Sequence, residues 1–490
     1  MTSPAKANLL VRIVERMKRS RFLVPYVVGC ALFMQMLDAT VIAMALPEMS
    51  RSLNVDPVRL NIAITSYLLS VSVFIPISGW VADRFGGRNV FVAAIALFTI
   101  SSMFCGLADT LPELVMARLA QGAAGAMMVP VGRIVMLRSV SKADLMQATT
   151  YLTLPALLGP VFGPPIGGFI TTFSSWRWIF LMNVPMGIIG IILAIVFIKN
   201  TREEKVPPLD FRGFLLTGVA LACLVMGFET MGQGEIPWKI SLSILSVGGI
   251  ATVLYIFHVR RTLDPIVDLS LMKIRTFSTS VLAGNLCRFN VGAAPFLMAI
   301  LLQIIFGMSP FAAGMITFAG ALGAIVAKVL ISRLFQQYGF RYVLAANAIA
   351  LGLSIAVCAL FTPITSHLVI ILVLFIGGVF RSLQMTGINA LAFSDIPFER
   401  MSGANTLSSM MQQLAFSLGV GIAALTMRAN MTINNTTELG LEDVQVGFLV
   451  LAVLAAFSAV WFLRLPENAG EVVSRGRMEP HNKPLTDHHA

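Results

Sequence analysis

Residues 78–90 read Ser78-Gly79-Trp80-Val81-Ala82-Asp83-Arg84-Phe85-Gly86-Gly87-Arg88-Asn89-Val90, a short charged turn between two long apolar segments. Gly79 would let two helices approach closely, because small residues carry helix packing where lipid removes the hydrophobic drive. Asp83 falls where the incoming helix ends. Arg84 and Arg88 sit at a water–lipid boundary, on the side that collects positive charge. Gly86 and Gly87 permit a tight reversal that a side chain would obstruct.

The composition requires apolar flanks of that kind throughout. Hydrophobic residues are 57% of the 490 and charged residues 12%, against about 25% charge in a soluble domain. Mean hydropathy is +0.83. The expectation is an all-α polytopic membrane protein embedded in a lipid bilayer. The excess of 35 basic over 24 acidic residues falls largely in short inter-span segments, as the positive-inside rule expects, and does not imply a nucleic-acid partner. Cys30, Cys105, Cys223, Cys287 and Cys358 lie inside apolar segments without paired spacing, so they read as small buried hydrophobes. No cleavable signal peptide is visible ahead of the first span.

A span needs about 20 apolar residues. Fourteen segments qualify, at roughly 23–47, 60–82, 89–108, 112–137, 145–171, 178–199, 212–231, 239–258, 277–306, 311–333, 342–361, 366–391, 403–428 and 445–464. Basic residues cluster in the tail before Phe22 and in alternate loops, so both termini are expected on the cytoplasmic side. Residues 8–21 suit either a basic amphipathic surface helix or a solvated anchor. Asp83–Val90 aligns with Gln336–Val343, matching Gly86 to Gly339 and Arg88 to Arg341. Such a parallel repeat predicts two related bundles, the second copy keeping the turn and dropping the acid. The expected organisation is a basic tail over 1–22, a six-helix bundle over 23–200 and a linker with two extra spans over 201–275. A second six-helix bundle over 276–465 and a disordered polar tail over 466–490 complete it.

Charges inside the spans mark the chemistry. An acid at the depth of Asp38 costs about 2.5–3.5 kcal/mol on insertion scales unless paired or hydrated. It reads as a protonatable carboxylate on a central cavity, in preference to an acid reaching water near a helix end. Arg118, in the fourth span, cannot deprotonate and must pair or line water; Asp38 is its natural partner, and Gln121 lies within reach of the same site. Protonating Asp38 would then release Arg118. Gly159, Pro160, Gly163, Pro164, Gly167 and Gly168 crowd the fifth span, where prolines kink and glycines allow close packing. That density favours a hinge or gate over a merely distorted helix.

The Gly79–Arg88 loop, the Arg118–Gly122 span and the Gly159–Gly168 span together resemble the signature motifs of drug/proton antiporters in the major facilitator superfamily. Leu37–Pro47 and Trp176–Gly187 are similar to the fourteen-span branch, nearest to its MdtD-like exporters. The resemblance implies a major facilitator fold of two six-helix bundles plus two inserted central spans. It implies no enzymatic activity and no cofactor beyond a proton gradient, with a small-molecule substrate, a bacterial inner-membrane location and a monomeric state; outer efflux partners stay open. It places Asp38 and Arg118 in proton coupling, and Gly79, Asp83, Arg84, Gly86 and Arg88 in a conformational latch. The glycine- and proline-rich fifth span becomes the antiporter hinge.

Substrate polarity is a separate expectation. Arg288 in the ninth span, with Arg381 and Gln384 in the twelfth, are the remaining candidates besides Gln121, and no clear acid lies well inside those spans. If the arginines face the cavity, the site favours an anion or zwitterion, such as a carboxylate metabolite or a citrate-type siderophore. If they turn away, a lipophilic cationic drug becomes the substrate; Lys328 and Arg288 could also snorkel. Without a phosphate-binding loop nothing suggests an ATPase, and His258 and His367, standing without ligand spacing, disfavour a lipid enzyme. A transport-inactive sensor and a proton-coupled importer remain as the lesser alternatives.

Overall fold

The computed structural model describes residues 22–470 apart from 141–144, 201, 203–205, 207, 234–236, 263–264, 398–399 and 437. The expected surface helix before Phe22 and the tail from 471 onward lie outside the described residues. Fourteen helices are long and apolar enough to cross a membrane. In order they are α1 (Leu23–Leu53), α2 (Arg59–Phe85), α3 (Gly87–Leu107), α4 (Leu111–Ser139), α5 (Leu145–Phe173) and α6 (Trp178–Phe197). Then come α7 (Phe211–Gln233), α8 (Trp238–Val259) and α9 (Arg275–Ile305). The run Pro310–Cys358 holds α10 and α11, followed by α12 (His367–Phe393), α13 (Met401–Ile433) and α14 (Leu441–Leu463). Fourteen crossings return the end of α14 to the face on which α1 begins, here called the N-terminal face.

The two copies of the repeat share a backbone feature. Gly86 ends α2 with φ +90°, and Gly339 separates α10 from α11 with φ +72°. A residue with a Cβ is strained there, so each glycine turns one span into the next. Gly87, by contrast, is helical and lies against Val135 of α4. The second turn has not lost its electrostatics altogether: Arg341 lies 3.5 Å from Glu467, a well-exposed partner beyond α14. Such exposed pairs contribute little.

Helices α1–α6 and α9–α14 pack mainly among themselves, and the two groups meet along α2 with α13 and α5 with α10. Between α5 and α10 the backbones touch: a Cβ on Gly168 would strike the Pro310 carbonyl, and one on Gly314 would strike that of Pro164. Phe311 adds rings against Phe169 and Phe173. Hydrogen bonds join the bundles at both ends. Gln303, in a π-helical segment of α9, donates to the Met44 carbonyl at 3.0 Å; Arg133 of α4 donates to Asn405 of α13 at 3.0 Å near the N-terminal face.

The inserted pair has its own place. Helix α7 packs on α8 and also on α2 and α13, with Phe214 against Phe74 at 5.9 Å between ring centroids. A separate core of Leu69, Leu221, Val225, Tyr255, Phe277 and Leu414 fills this seam. Asp210 fastens its N-terminal-face end, accepting from the Gly213 and Ile266 amides at 2.9 and 3.3 Å and pairing with His258 at 2.8 Å. Burial works to raise the Asp210 pKa, but those hydrogen bonds and the imidazole outweigh it and hold the carboxyl below the usual carboxylate range.

Candidate functional site

Three glycines set the position of Asp38. Gly159, Gly163 and Gly167 recur every four residues on α5, one face of a helix, and lie against Met36, Thr40 and Val41 of α1. Side chains there would hold the helices apart, so α1 is pressed into the first bundle with Asp38 aimed inward. The four prolines Pro155, Pro160, Pro164 and Pro165 leave α5 a continuous helix. Its glycines work as sites of approach. The hinge expected of these residues is not visible as a break.

Asp38 and Arg118 are partners, as expected. An Arg118 Nη1–H donates to Asp38 Oδ2 at 2.8 Å, with each side chain 1% exposed. The other carboxylate oxygen accepts from Gln121 Nε2 at 3.0 Å and from Asn183 Nδ2 at 2.8 Å. Arg118 also donates to the Gln121 side-chain oxygen at 2.6 Å and to the Ala63 carbonyl at 3.0 Å. Its guanidinium lies over Tyr67, 4.4 Å from the ring centre. Asn183 spends its second N–H on Ser102 at 2.9 Å, and Ser102 donates on to the Phe180 carbonyl. Helices α1, α2, α3, α4 and α6 therefore converge on one carboxyl group.

Two expectations are corrected. Asp38 is 3% exposed, so the carboxylate is sealed inside the first bundle and does not open on a central cavity in this conformation. Only the convergence of five helices produces that enclosure. Gln121, expected to bind substrate, is fully buried in this cluster, bonded to Arg118 and Asp38.

In the second bundle the candidates also separate. Gln384 of α12 is fully buried and satisfied by Asn347 at 2.7 Å and the Leu344 carbonyl at 3.4 Å, so it braces α12 against α11. Arg288 of α9 is fully buried without a carboxylate, bonded to Asn285 at 3.2 Å, the Ser280 carbonyl at 3.4 Å and Asn389 of α12 at 2.9 Å; its Nε has no partner among the described residues. Lys328 of α10 does not simply snorkel: its ammonium donates to Thr386 of α12 at 2.9 Å. Thr386 and Asn389 are three residues apart and share a helix face, so α12 gathers two cations from neighbouring helices. Arg381 is half-buried beside Gly320.

The loop candidates divide likewise. Asp83 pairs with Arg138 of α4 at 3.0 Å, while Arg88 bonds its neighbour Asn89 and Arg84 is exposed. Gly79 does not sit at a close helix contact: a Cβ there meets nothing within 4 Å. A small residue permits close approach without requiring it in every conformation. Sequence reasoning passed over Asn183, Ser102, Tyr67 and Arg133. An amide at the head of an apolar span and a cation six residues from a span end were the available signals.

The major facilitator superfamily model matches residues 28–283 and again 280–487, once for each bundle. The chain is 37% identical over 459 residues to a protein of Salmonella typhimurium (strain LT2), covering 92% of this chain and 96% of that one. It is 36% identical over 456 residues, with the same coverage, to one of Escherichia coli (strain K12 / DH10B). Each is named, provisionally, multidrug resistance protein MdtD. Among solved structures, a D-xylose–proton symporter superposes with a TM-score of 0.64 at 15% identity, covering 92% of this chain and 98% of that one. The nucleoside transporter NupG gives 0.61 at 14%, covering 91% and 99%.

Proposed function

The chain belongs to the major facilitator superfamily of membrane transporters, and on that premise we propose that it is a proton-coupled exporter of small organic molecules, an antiporter of the multidrug-efflux kind. The observation that carries this reading is the Asp38–Arg118 pair, buried and charge-matched, with Gln121 and Asn183 also donating to the carboxylate. The enclosure keeps that carboxylate from water until the surrounding helices part. Protonation then removes the charge that holds Arg118, and the freed guanidinium repacks α4 against α1 and α2. The pair thereby couples a proton to helix arrangement. Each proton moving inward yields about 2.3 kcal/mol per 100 mV of potential and about 1.4 kcal/mol per pH unit, enough to drive a substrate tenfold or more uphill.

The basic residues of the N-terminal face favour a cytoplasmic side of an inner membrane for it, and the latch expected of Gly79, Asp83, Arg84, Gly86 and Arg88 would there draw on the Asp83–Arg138 pair. The names of the MdtD relatives favour export of foreign compounds. The charge of the second bundle leans toward anionic substrates such as carboxylate metabolites or a siderophore. Arg288 and Lys328 are tied to one face of α12, and no carboxylate among the described residues bonds either of them. Export of lipophilic cations is the competing reading. Proteoliposomes carrying an imposed proton gradient decide it, offered labelled citrate and a lipophilic cation dye in parallel. Citrate movement that is lost in Asp38→Asn supports both coupling and anion export; dye movement alone overturns the anion reading and keeps the coupling. If neither moves, proton-coupled export of these classes is overturned.

A further inference from the structure

The hydrogen-bond inventory of the Asp38 cluster has one open position. The side chains hydrogen-bonded to Asp38 among the described residues, Arg118, Gln121 and Asn183, all donate to it. That suits a carboxylate, which is acceptor-only, but a neutral carboxylic acid carries an O–H that needs an acceptor. Left unpaired in this enclosure, that donor is a buried polar group without a partner, which is costly. Arg118 has no acceptor atom. The Gln121 oxygen is already taken by Arg118 at 2.6 Å and by the Cys105 thiol at 3.7 Å. Tyr67 holds its hydroxyl oxygen toward Gln35, which donates to it at 3.1 Å. The Asn183 side-chain oxygen is different: it is fully buried and has no partner among the described residues, on the same amide group whose nitrogen bonds Asp38.

We propose that Asn183 is a positioning residue that reads the protonation state of Asp38 by turning its amide over. With Asp38 ionised, Asn183 Nδ2 donates to it, as observed. When a proton arrives from water on an Asp38 oxygen, the amide rotates by half a turn, and its unpartnered oxygen accepts the new Asp38 O–H. The nitrogen moves to the side the oxygen has left and withdraws its bond from Ser102. The oxygen then lies where the nitrogen was, 2.9 Å from the Ser102 hydroxyl, which turns its proton from the Phe180 carbonyl to that oxygen, so the change is passed to the contact between α3 and α6. Among the groups bonded to Asp38, none of the others can make this exchange, because Arg118 is donor-only and the Gln121 oxygen is occupied. The charged and titratable neighbours of Asp38 are Arg118 of α4, Tyr67 of α2 and Cys105 of α3; Gly159, Gly163 and Gly167 of α5 lie against α1 here.

The proposal rests on the reading of Asp38 as the acid that titrates, and infrared difference spectroscopy separates the two. Purified protein in lipid is compared at high and low pH. The protein carries 24 acidic residues, so one component of the protonated-carboxyl absorption must be missing in Asp38→Asn; if no component is lost, the acid assignment itself fails. With the band assigned, Asn183→Leu moves it to higher frequency, toward that of an acid without an acceptor, and removes an amide carbonyl change seen in the parent protein. Asn183→Ser, whose hydroxyl both donates and accepts, returns the band to lower frequency. Should the leucine variant fail to fold, Asn183→Val carries the same prediction in a smaller side chain. A carboxyl band unmoved by loss of the amide overturns the proposal, leaving Asn183 as packing.

Discussion

Replacing Arg118 by methionine strips the charge partner from Asp38 and leaves a sealed carboxylate held by the Gln121 and Asn183 amides alone. Breaking a buried pair from one side costs about 3–5 kcal/mol, because the remaining charge is uncompensated. Asp38→Asn is gentler. It keeps the shape, and Arg118 retains the Ala63 carbonyl, the Gln121 oxygen and the face of Tyr67. The loss is one charge-assisted bond, about 1.5–3 kcal/mol. The double variant holds no charge at all, so it should be more stable than the two single losses summed, by a coupling of about 2–3 kcal/mol. Denaturant unfolding in detergent measures this, with Trp176 as a local probe: it is 2% exposed and packs edge-on against Phe180, whose carbonyl belongs to the Ser102 chain. Losses that add within about 0.5 kcal/mol would refute the claim that this pair is the electrostatic centre of the bundle. Proton-driven transport should be lost in all three variants.

Other outcomes follow from single contacts. Gly122→Ala puts a methyl 2.5 Å from the Tyr67 carbonyl and should cost about 1–3 kcal/mol by overpacking. Gly79→Ala enters open space and should leave stability unchanged or raise it by up to about 1 kcal/mol, alanine being the better helix former; a loss in thermal unfolding would place an unseen neighbour there. Because the folded-state pKa of Asp210 is depressed, its stabilising contribution is present above the unfolded carboxylate value of about 4 and disappears as pH falls through its lower folded value. Asp210→Asn should flatten the acid limb of a plot of melting temperature against pH, and an unchanged limb would count against that clasp. If the second bundle binds an anion, Arg288→Met and Lys328→Met should each raise KM for a carboxylate at least about tenfold, equivalent to about 1.4 kcal/mol, with a neutral analogue, whose KM should not change, as the control.

What could be read from the chain alone depended on how rare each signal is. Fourteen spans are legible because length and hydropathy decide them one at a time. Asp38 and Arg118 stand out because ionised side chains inside apolar segments are expensive, and each supplies the other's compensation. Gly86 and Gly339 announced the repeat through spacing, and both take positive φ. Burial was not legible in the same way. That Asp38 is enclosed, that Gln384 faces a neighbouring helix and that Gly79 faces nothing all depend on which helices lie alongside, which no local pattern encodes. Asn183 escaped notice for a further reason: an amide costs little to insert, so its presence in a span carries no alarm.

Helix α7 adds a mechanical consequence. It rests in the seam between α2 and α13, one from each bundle, as a keystone rests on two abutments. If the bundles rock about that seam, a two-bundle transporter needs only its loops to follow. Here the rocking motion must also slide or tilt a whole apolar helix that is pinned at one end by Asp210, while its partner α8 turns a broad apolar surface outward to the lipid. The stiffness of the surrounding bilayer is therefore coupled into the transport cycle through α8 and α7. In thicker or more ordered lipid the turnover rate should fall while the affinity for substrate stays the same.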